Sequence, residues 1–149
     1  MLNAHEREVW LRFVRAASAV LADLDHQLKR DAGVAHSHFL ILSRISMEAD
    51  NEIAVAKLSE ALRYSPSRLS HAFTRLERDR WIERRPDPAD GRAQLVRLTD
   101  EAIERIEWLA PRHVVEVRAR VFDHLTPDQV DQLGAISDAL LAGSEDAAS

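Results

Sequence analysis

The sequence predicts a mainly α-helical chain carrying one small β-hairpin. Three observations predict it. Apolar residues recur at steps of three and four in long stripes toward both ends. A short helix pattern, a turn and a second amphipathic helix follow one another over residues 55–80. Two short strand patterns then flank the turn-forming run Pro86-Asp87-Pro88-Ala89-Asp90-Gly91-Arg92.

Taken in order, residues 5–30 carry Trp10, Phe13, Val14, Ala17, Val20, Leu21, Leu24 and Leu28 on one stripe of a long helix, with Gly33 as its break. Residues 37–47 form a second helix with Phe39, Leu40, Leu42 and Ile45 apolar and Ser37 as its N-cap. Residues 48–52 are acidic and polar, a loop, and Ile53 can sit in a short strand. The third helix, 55–62, buries Val55, Leu58 and Leu62.

Tyr64-Ser65-Pro66 is the turn into the fourth helix, 66–80. Ser65 suits the N-cap. Pro66 suits the first helical position, where a missing N–H needs no partner. Leu69, Ala72, Phe73 and Leu76 make that helix's buried face, and Ser67, Arg68, Ser70, His71, Thr74 and Arg75 lie off it. Strands are expected at 82–85 and 94–98. Thr99 caps a second long helix with Ile103, Ile106, Ala110, Val114, Val117 and Val121 on its stripe, and Pro111 should kink or divide it. Thr126-Pro127-Asp128-Gln129 is a capping box opening a last helix with Val130, Leu133, Ile136 and Leu140. Residues 143–149 are expected to fray.

Composition removes several functions. The 149 residues allow one domain or two intimate subdomains. No apolar run of ~18 residues predicts a membrane span. The charged start MLNAHEREVW lacks the apolar centre of a secretion signal. Cysteine is absent, which excludes disulfides, thiolate nucleophiles and Cys-based metal sites. A cytoplasmic protein is the default. There is no Gly-rich phosphate loop and no GxSxG, so no enzyme is expected and no cofactor is assigned. The seven histidines, among them His26, His36, His38, His113 and His124, offer neither HExxH nor a pair at i,i+4, so no metal is assigned.

The formal charge of −5 hides an asymmetry. Residues 57–97 hold ten Lys/Arg against six Asp/Glu, a net of +4, and leave −9 on the rest. One basic segment in an acidic body is the footprint of an anionic partner.

Helix, tight turn, helix and hairpin is the order of a winged helix-turn-helix. Its second helix enters the DNA major groove, which admits one α-helix. An Arg on that helix can grip a guanine edge or a phosphate, and Ser, Thr and His71 can donate to either. Backbone N–H groups from Ser65 to Arg68 offer an anion site at the helix start. Arg92, near the loop tip, suits the negative potential of a narrow minor groove, with Asp90 placed to orient its guanidinium. Arg84 and Arg85, at the hairpin base, suit flanking phosphates.

The stretch resembles the MarR family of bacterial winged-helix transcription regulators. The residues that carry the resemblance are Leu58-Ser59-Glu60-Ala61-Leu62, the helix 65–76, Leu76-Glu77-Arg78 with Ile82-Glu83-Arg84, Asp90-Gly91-Arg92, and Leu95-Val96-Arg97-Leu98-Thr99. Arg80 and Ala102 stand where the family commonly has glycine, and His71 replaces a commonly basic position.

The resemblance implies one chain over 1–149, with a DNA-binding subdomain at 37–99 and dimerisation helices at 5–32 and 100–142. Periodicity alone leaves dimer and monomeric bundle both open. The family implies a homodimer on double-stranded DNA with a pseudopalindromic site, acting as a repressor released by a small anionic or phenolic ligand. Matching positions place Ser67, Arg68, Ser70, His71, Thr74 and Arg75 in the major groove and Arg92 in the minor groove. The family's effector cleft corresponds to Trp10, Phe13, His38 and Trp108. A winged-helix protein-interaction module without sequence-specific DNA binding is the rival reading.

Overall fold

The computed structural model describes residues 1–146. Six helices are present among them: α1 (Ala4–Ala32), α2 (His36–Ser46), α3 (Val55–Leu62), α4 (Pro66–Arg78), α5 (Asp100–Arg120) and α6 (Pro127–Asp146). Three strands, β1 (Glu52–Ala54), β2 (Ile82–Pro86) and β3 (Gln94–Leu98), form an antiparallel sheet in the order β1-β3-β2. Glu52 faces Arg97 across β1 and β3, and Ile82 faces Leu98 across β2 and β3. The chain divides into two compact units, Met1–His113 and 114–149, with the boundary inside α5.

The first unit is built on one apolar cluster. Leu28 of α1, Phe39, Ile41, Leu42 and Ile45 of α2, Leu58 of α3 and Leu69, Ala72, Phe73 and Leu76 of α4 meet Ile53, Ile82, Val96 and Leu98 of the sheet. Ala102, Ile106 and Leu109 of α5 and Trp81 close it. The predicted buried face of α4 is the one observed. On α2, Phe39, Leu42 and Ile45 are buried as expected, but Ile41 is buried with them and Leu40 is exposed.

Gly33 ends α1 in the left-handed region, its N–H donating to the Lys29 carbonyl. Ser37 does not cap α2. The helix starts one residue earlier, and the cap comes from α1: the Asp25 carboxylate accepts from the His36 N–H at 2.9 Å. Lys29 lies 2.6 Å from the same carboxylate and holds its pKa below the usual value, with the His36 N–H adding to the effect. A carboxyl depressed in the folded state stabilises above its unfolded pKa and loses that contribution as pH falls through the folded one. Asp25→Ala should therefore cost about 0.5–2 kcal/mol at neutral pH, the range of a lost cap. In urea titrations the penalty should shrink as pH drops below the ordinary carboxylate range.

Both central helices end in the same way. Arg63 N–H donates to the Glu60 carbonyl and Tyr64 N–H to the Ser59 carbonyl. Likewise Arg80 N–H donates to Glu77 and Trp81 N–H to Leu76. Each is a Schellman motif, and each puts an arginine, at φ 53° and 59°, where glycine is the usual residue. Helix α4 therefore does not run on to Arg80. The corner is held instead by buried Trp81 and by Thr99, whose hydroxyl donates to the Arg80 carbonyl at 2.7 Å and accepts from Ala102 N–H at 3.1 Å.

Helix α5 passes Pro111 undivided. The proline removes only the donor to the Glu107 carbonyl, and Glu107 is exposed, so water can serve that oxygen. In the second unit the Thr126 capping box forms in both directions, at 2.9 and 3.3 Å. Helix α6 takes in the first four residues of the segment expected to fray, and the last three lie outside the described residues.

Candidate nucleic-acid interface

Helix α4 separates its two faces cleanly. Leu69, Ala72, Phe73 and Leu76 are buried, while Ser67, Arg68, Ser70, His71, Thr74 and Arg75 are all exposed. Ser65 caps it as expected, its hydroxyl oxygen accepting from Arg68 N–H at 3.2 Å, with Pro66 next. Arg68 lays its guanidinium over the Tyr64 ring, 3.6 Å from the centroid. The Thr74 hydroxyl donates back to the Ser70 carbonyl at 3.1 Å.

Along one side of α4, Arg68, His71, Arg75 and Arg78 line a recess of about 710 Å³ together with Tyr64, Ser37 and His38. His38 is half-buried. That burial pushes its pKa below the ordinary histidine value, and the Arg75 charge pushes it further. The recess is cationic at Arg68 and Arg75, whereas Arg78 is neutralised by Asp79 at 2.8 Å.

The hairpin loop is shaped by its aspartates. Asp87 accepts from Ala89 N–H at 2.8 Å, and Ala93 N–H donates to the Asp90 carbonyl, also at 2.8 Å. The Asp90 carboxylate accepts from the backbone N–H of Arg92 at 3.0 Å. Asp90 thus sets the turn and does not grip the Arg92 guanidinium, because an aspartate two residues upstream meets the main chain first. Arg92 itself is exposed.

Arg84 and Arg85 are placed differently from expectation. Arg84 makes a two-pronged pair with Glu77, both bonds 2.8 Å. Arg85 makes another with Glu52, at 2.8 and 2.6 Å. These bidentate pairs tie α4 to β2 and β2 to β1, and a phosphate would have to compete with a carboxylate for each. Arg97 pairs with Glu83 at 3.2 Å. Among the described residues, Arg68, Arg75 and Arg92 form no ion pair. The cations left open to an outside anion thus include two on α4 and one on the loop.

A family model described as MarR family matches residues 32–93. The crystal structure of Sco3205, a MarR family transcriptional regulator from Streptomyces coelicolor in complex with DNA, is 38% identical, with a TM-score of 0.92. The match covers 96% of this chain and 89% of that one. The chain belongs to the MarR family of transcriptional regulators. AbsC, another member from Streptomyces coelicolor, is 25% identical at a TM-score of 0.92 and covers 97% of both chains. The uncharacterized HTH-type transcriptional regulator YkoM of Bacillus subtilis (strain 168) is 26% identical over 123 residues, 81% of this chain and 76% of its own length. The family is one of transcriptional regulators, not of enzymes.

The four residues matched to the family's effector cleft lie on three helices, Trp10 and Phe13 on α1, His38 on α2 and Trp108 on α5. His38 lines the recess beside α4, and Trp10, Phe13 and Trp108 do not. Trp10 and Phe13 pack ring to ring at 6.1 Å and stay 54% and 47% exposed. Trp108 is 47% exposed, with Arg112 stacked 4.0 Å above it. The first two continue an exposed apolar row of α1 with Val14 and Leu21, and Val9 and Leu11 are exposed on its other sides. In α6, Leu133, Ile136, Leu140 and Leu141 are exposed as well.

Sequence reasoning missed three features. Tyr64 sits four residues before Arg68, a spacing that could have flagged the stack. Glu77 and Glu52 lock the strand arginines. Gln27 is buried in α1, its amide donating to Asp31 at 2.8 Å and its oxygen accepting from His113 Nδ1 at 2.9 Å. His36 and His113 do approach, with rings 5.7 Å apart. No group of three or more His, Asp or Glu able to hold a metal occurs among the described residues.

Proposed function

We propose that this protein is a sequence-specific double-stranded DNA-binding regulator that acts as a homodimer. Helix α4 enters the major groove with Ser67, Arg68, Ser70, His71, Thr74 and Arg75. The hairpin carries Arg92 into the adjacent minor groove. Ser65 and the backbone N–H groups at the start of α4 face phosphate. Residues 37–99 form the DNA-binding part, and 5–32 with 100–142 form the dimerisation part. Arg84 and Arg85 brace the hairpin through their carboxylate partners.

The single observation that carries this reading is that, among the described residues, Arg68, Arg75 and Arg92 form no ion pair while the neighbouring strand arginines do. Internal pairing consumes the hairpin's basic charge except at the loop. The 38% identity to a regulator crystallised in complex with DNA supports the same reading. Dimerisation is supported by the exposed apolar rows of α1 and α6, which exceed what a lone protomer needs to show to water. Two copies related by a two-fold axis require a pseudopalindromic site.

The regulator works in the cytoplasm as a repressor, and a small anionic or phenolic ligand releases it. Release requires the ligand to bind one state of the dimer more tightly than the other. Among the described residues no helix is long and apolar enough to cross a membrane.

Footprinting on DNA flanking the protein's own gene, with and without aromatic acids, tests the proposal. A protected site with two-fold symmetry, lost when an acid is added, is the expected pattern. Absence of protection at low salt would overturn DNA binding. Protection indifferent to every acid tried would overturn release by that class of ligand.

A further inference from the structure

The turn before α4 fixes a tyrosine. Tyr64 N–H donates to the Ser59 carbonyl, and the Ser59 hydroxyl donates to the Tyr64 carbonyl at 2.6 Å. The residue before it is held at positive φ by the Schellman motif, and Ser65 after it is extended as the α4 N-cap. Tyr64 is half-buried against the apolar cluster, so its ring has little freedom. The Arg68 guanidinium carbon sits over that ring, 3.6 Å from its centroid, a stacking distance, while Arg68 as a residue stays exposed.

A flexible arginine loses rotamer freedom when one orientation is selected. A platform that selects the orientation in the free protein removes part of that cost on binding. Stacking uses the guanidinium's face and leaves its in-plane N–H donors pointing outward. Those donors are the ones that grip guanine O6 and N7. Residues near the start of a recognition helix are the ones that reach base edges.

We infer that Tyr64 is a positioning residue that holds Arg68 oriented to read a guanine in the major groove. The inference rests on the reading that α4 docks there. Tyr64 touches no DNA in this account. It acts by stacking, so the ring matters and the hydroxyl does not.

The test uses the full-length protein and the duplex it enriches from a randomised library, with single-base variants of that duplex. Tyr64→Phe should bind like wild type. Tyr64→Leu keeps an apolar contact with the cluster, should melt within a few degrees of wild type, and should lose about 3–10-fold in affinity. Arg68→Ala should lose preference for guanine at one position in each half-site. In the Arg68→Ala background, Tyr64→Leu should add nothing. Equal losses in both backgrounds would overturn the inference, as would a Tyr64→Phe loss matching that of Tyr64→Leu. An Arg68→Ala protein with unchanged base preference would also overturn it, leaving the docking of α4 intact if Arg75→Ala still weakens binding. Failure of the wild type to enrich any sequence would overturn the docking as well.

Discussion

Phe73→Ala is expected to destabilise the first unit by about 3–5 kcal/mol, the usual cost of truncating a fully buried phenylalanine. Phe73 is 1% exposed on the inner face of α4, within the cluster that joins α1 to α5 and the sheet. The Arg84 guanidinium lies over the ring, 5.6 Å from its centroid, and loses that contact with the truncation. A domain of this size has about 5–15 kcal/mol in total, so the variant approaches unfolding. Urea denaturation followed by circular dichroism measures it. A loss under about 1 kcal/mol would mean that α4 is held by something other than its apolar face. Because the same helix presents its polar face outward, DNA affinity should fall with the folded fraction.

The largest effect on binding should come from the open arginines. Arg75→Ala is expected to weaken binding to a preferred site by about 5–150-fold, the worth of one bidentate base contact. Arg92→Ala should weaken binding to most sequences and flatten its salt dependence by roughly one charge. The two residues stand on separate elements without a shared partner, so their losses should add. Arg84→Ala offers the contrast. It strands Glu77 and loosens the α4–β2 tie, so its effect should appear in stability first. Titrations of a fluorescent duplex, beside melting curves of each variant, separate the two kinds of loss.

Why the helices and strands were legible in the sequence follows from their causes. Each is set by neighbours within a turn or two: the apolar stripes, the Ser65-Pro66 start, the Thr99 cap and the Thr126 box all act at short range. The features that escaped act at long range. Ser37 has the look of a cap because it is a serine before an apolar run, but the acceptor at that helix start is Asp25, eleven residues upstream of the His36 N–H it receives. Arg84 and Arg85 looked free because Glu77 and Glu52 lie 7 and 33 residues away in sequence. Asp90 suggests a side-chain partner for Arg92, yet its carboxylate accepts from the Arg92 backbone N–H.

Legibility of the site follows the same division. The exposed face of α4 is a property of one helix and could be read from periodicity. The cleft residues Trp10, Phe13, His38 and Trp108 come from three helices, and nothing local shows which of them share a cavity. The family pattern raised Arg80 as an anomaly, and the structure resolves it: a helix-ending motif fixes the backbone, and Trp81 and Thr99 hold it against the strain of positive φ.

Helix α4 and the hairpin of this otherwise acidic chain are proposed to present open arginines to the backbone and grooves of DNA. Affinity for a symmetric duplex measured against salt concentration tests it most directly. Log affinity should fall steeply and linearly with log salt, losing about 10³-fold or more between low and near-physiological salt if six or more phosphates are engaged. The slope should flatten in the combined Arg75→Ala and Arg92→Ala variant. A wild-type affinity that does not change with salt, or a slope unaltered by losing both arginines, would contradict it.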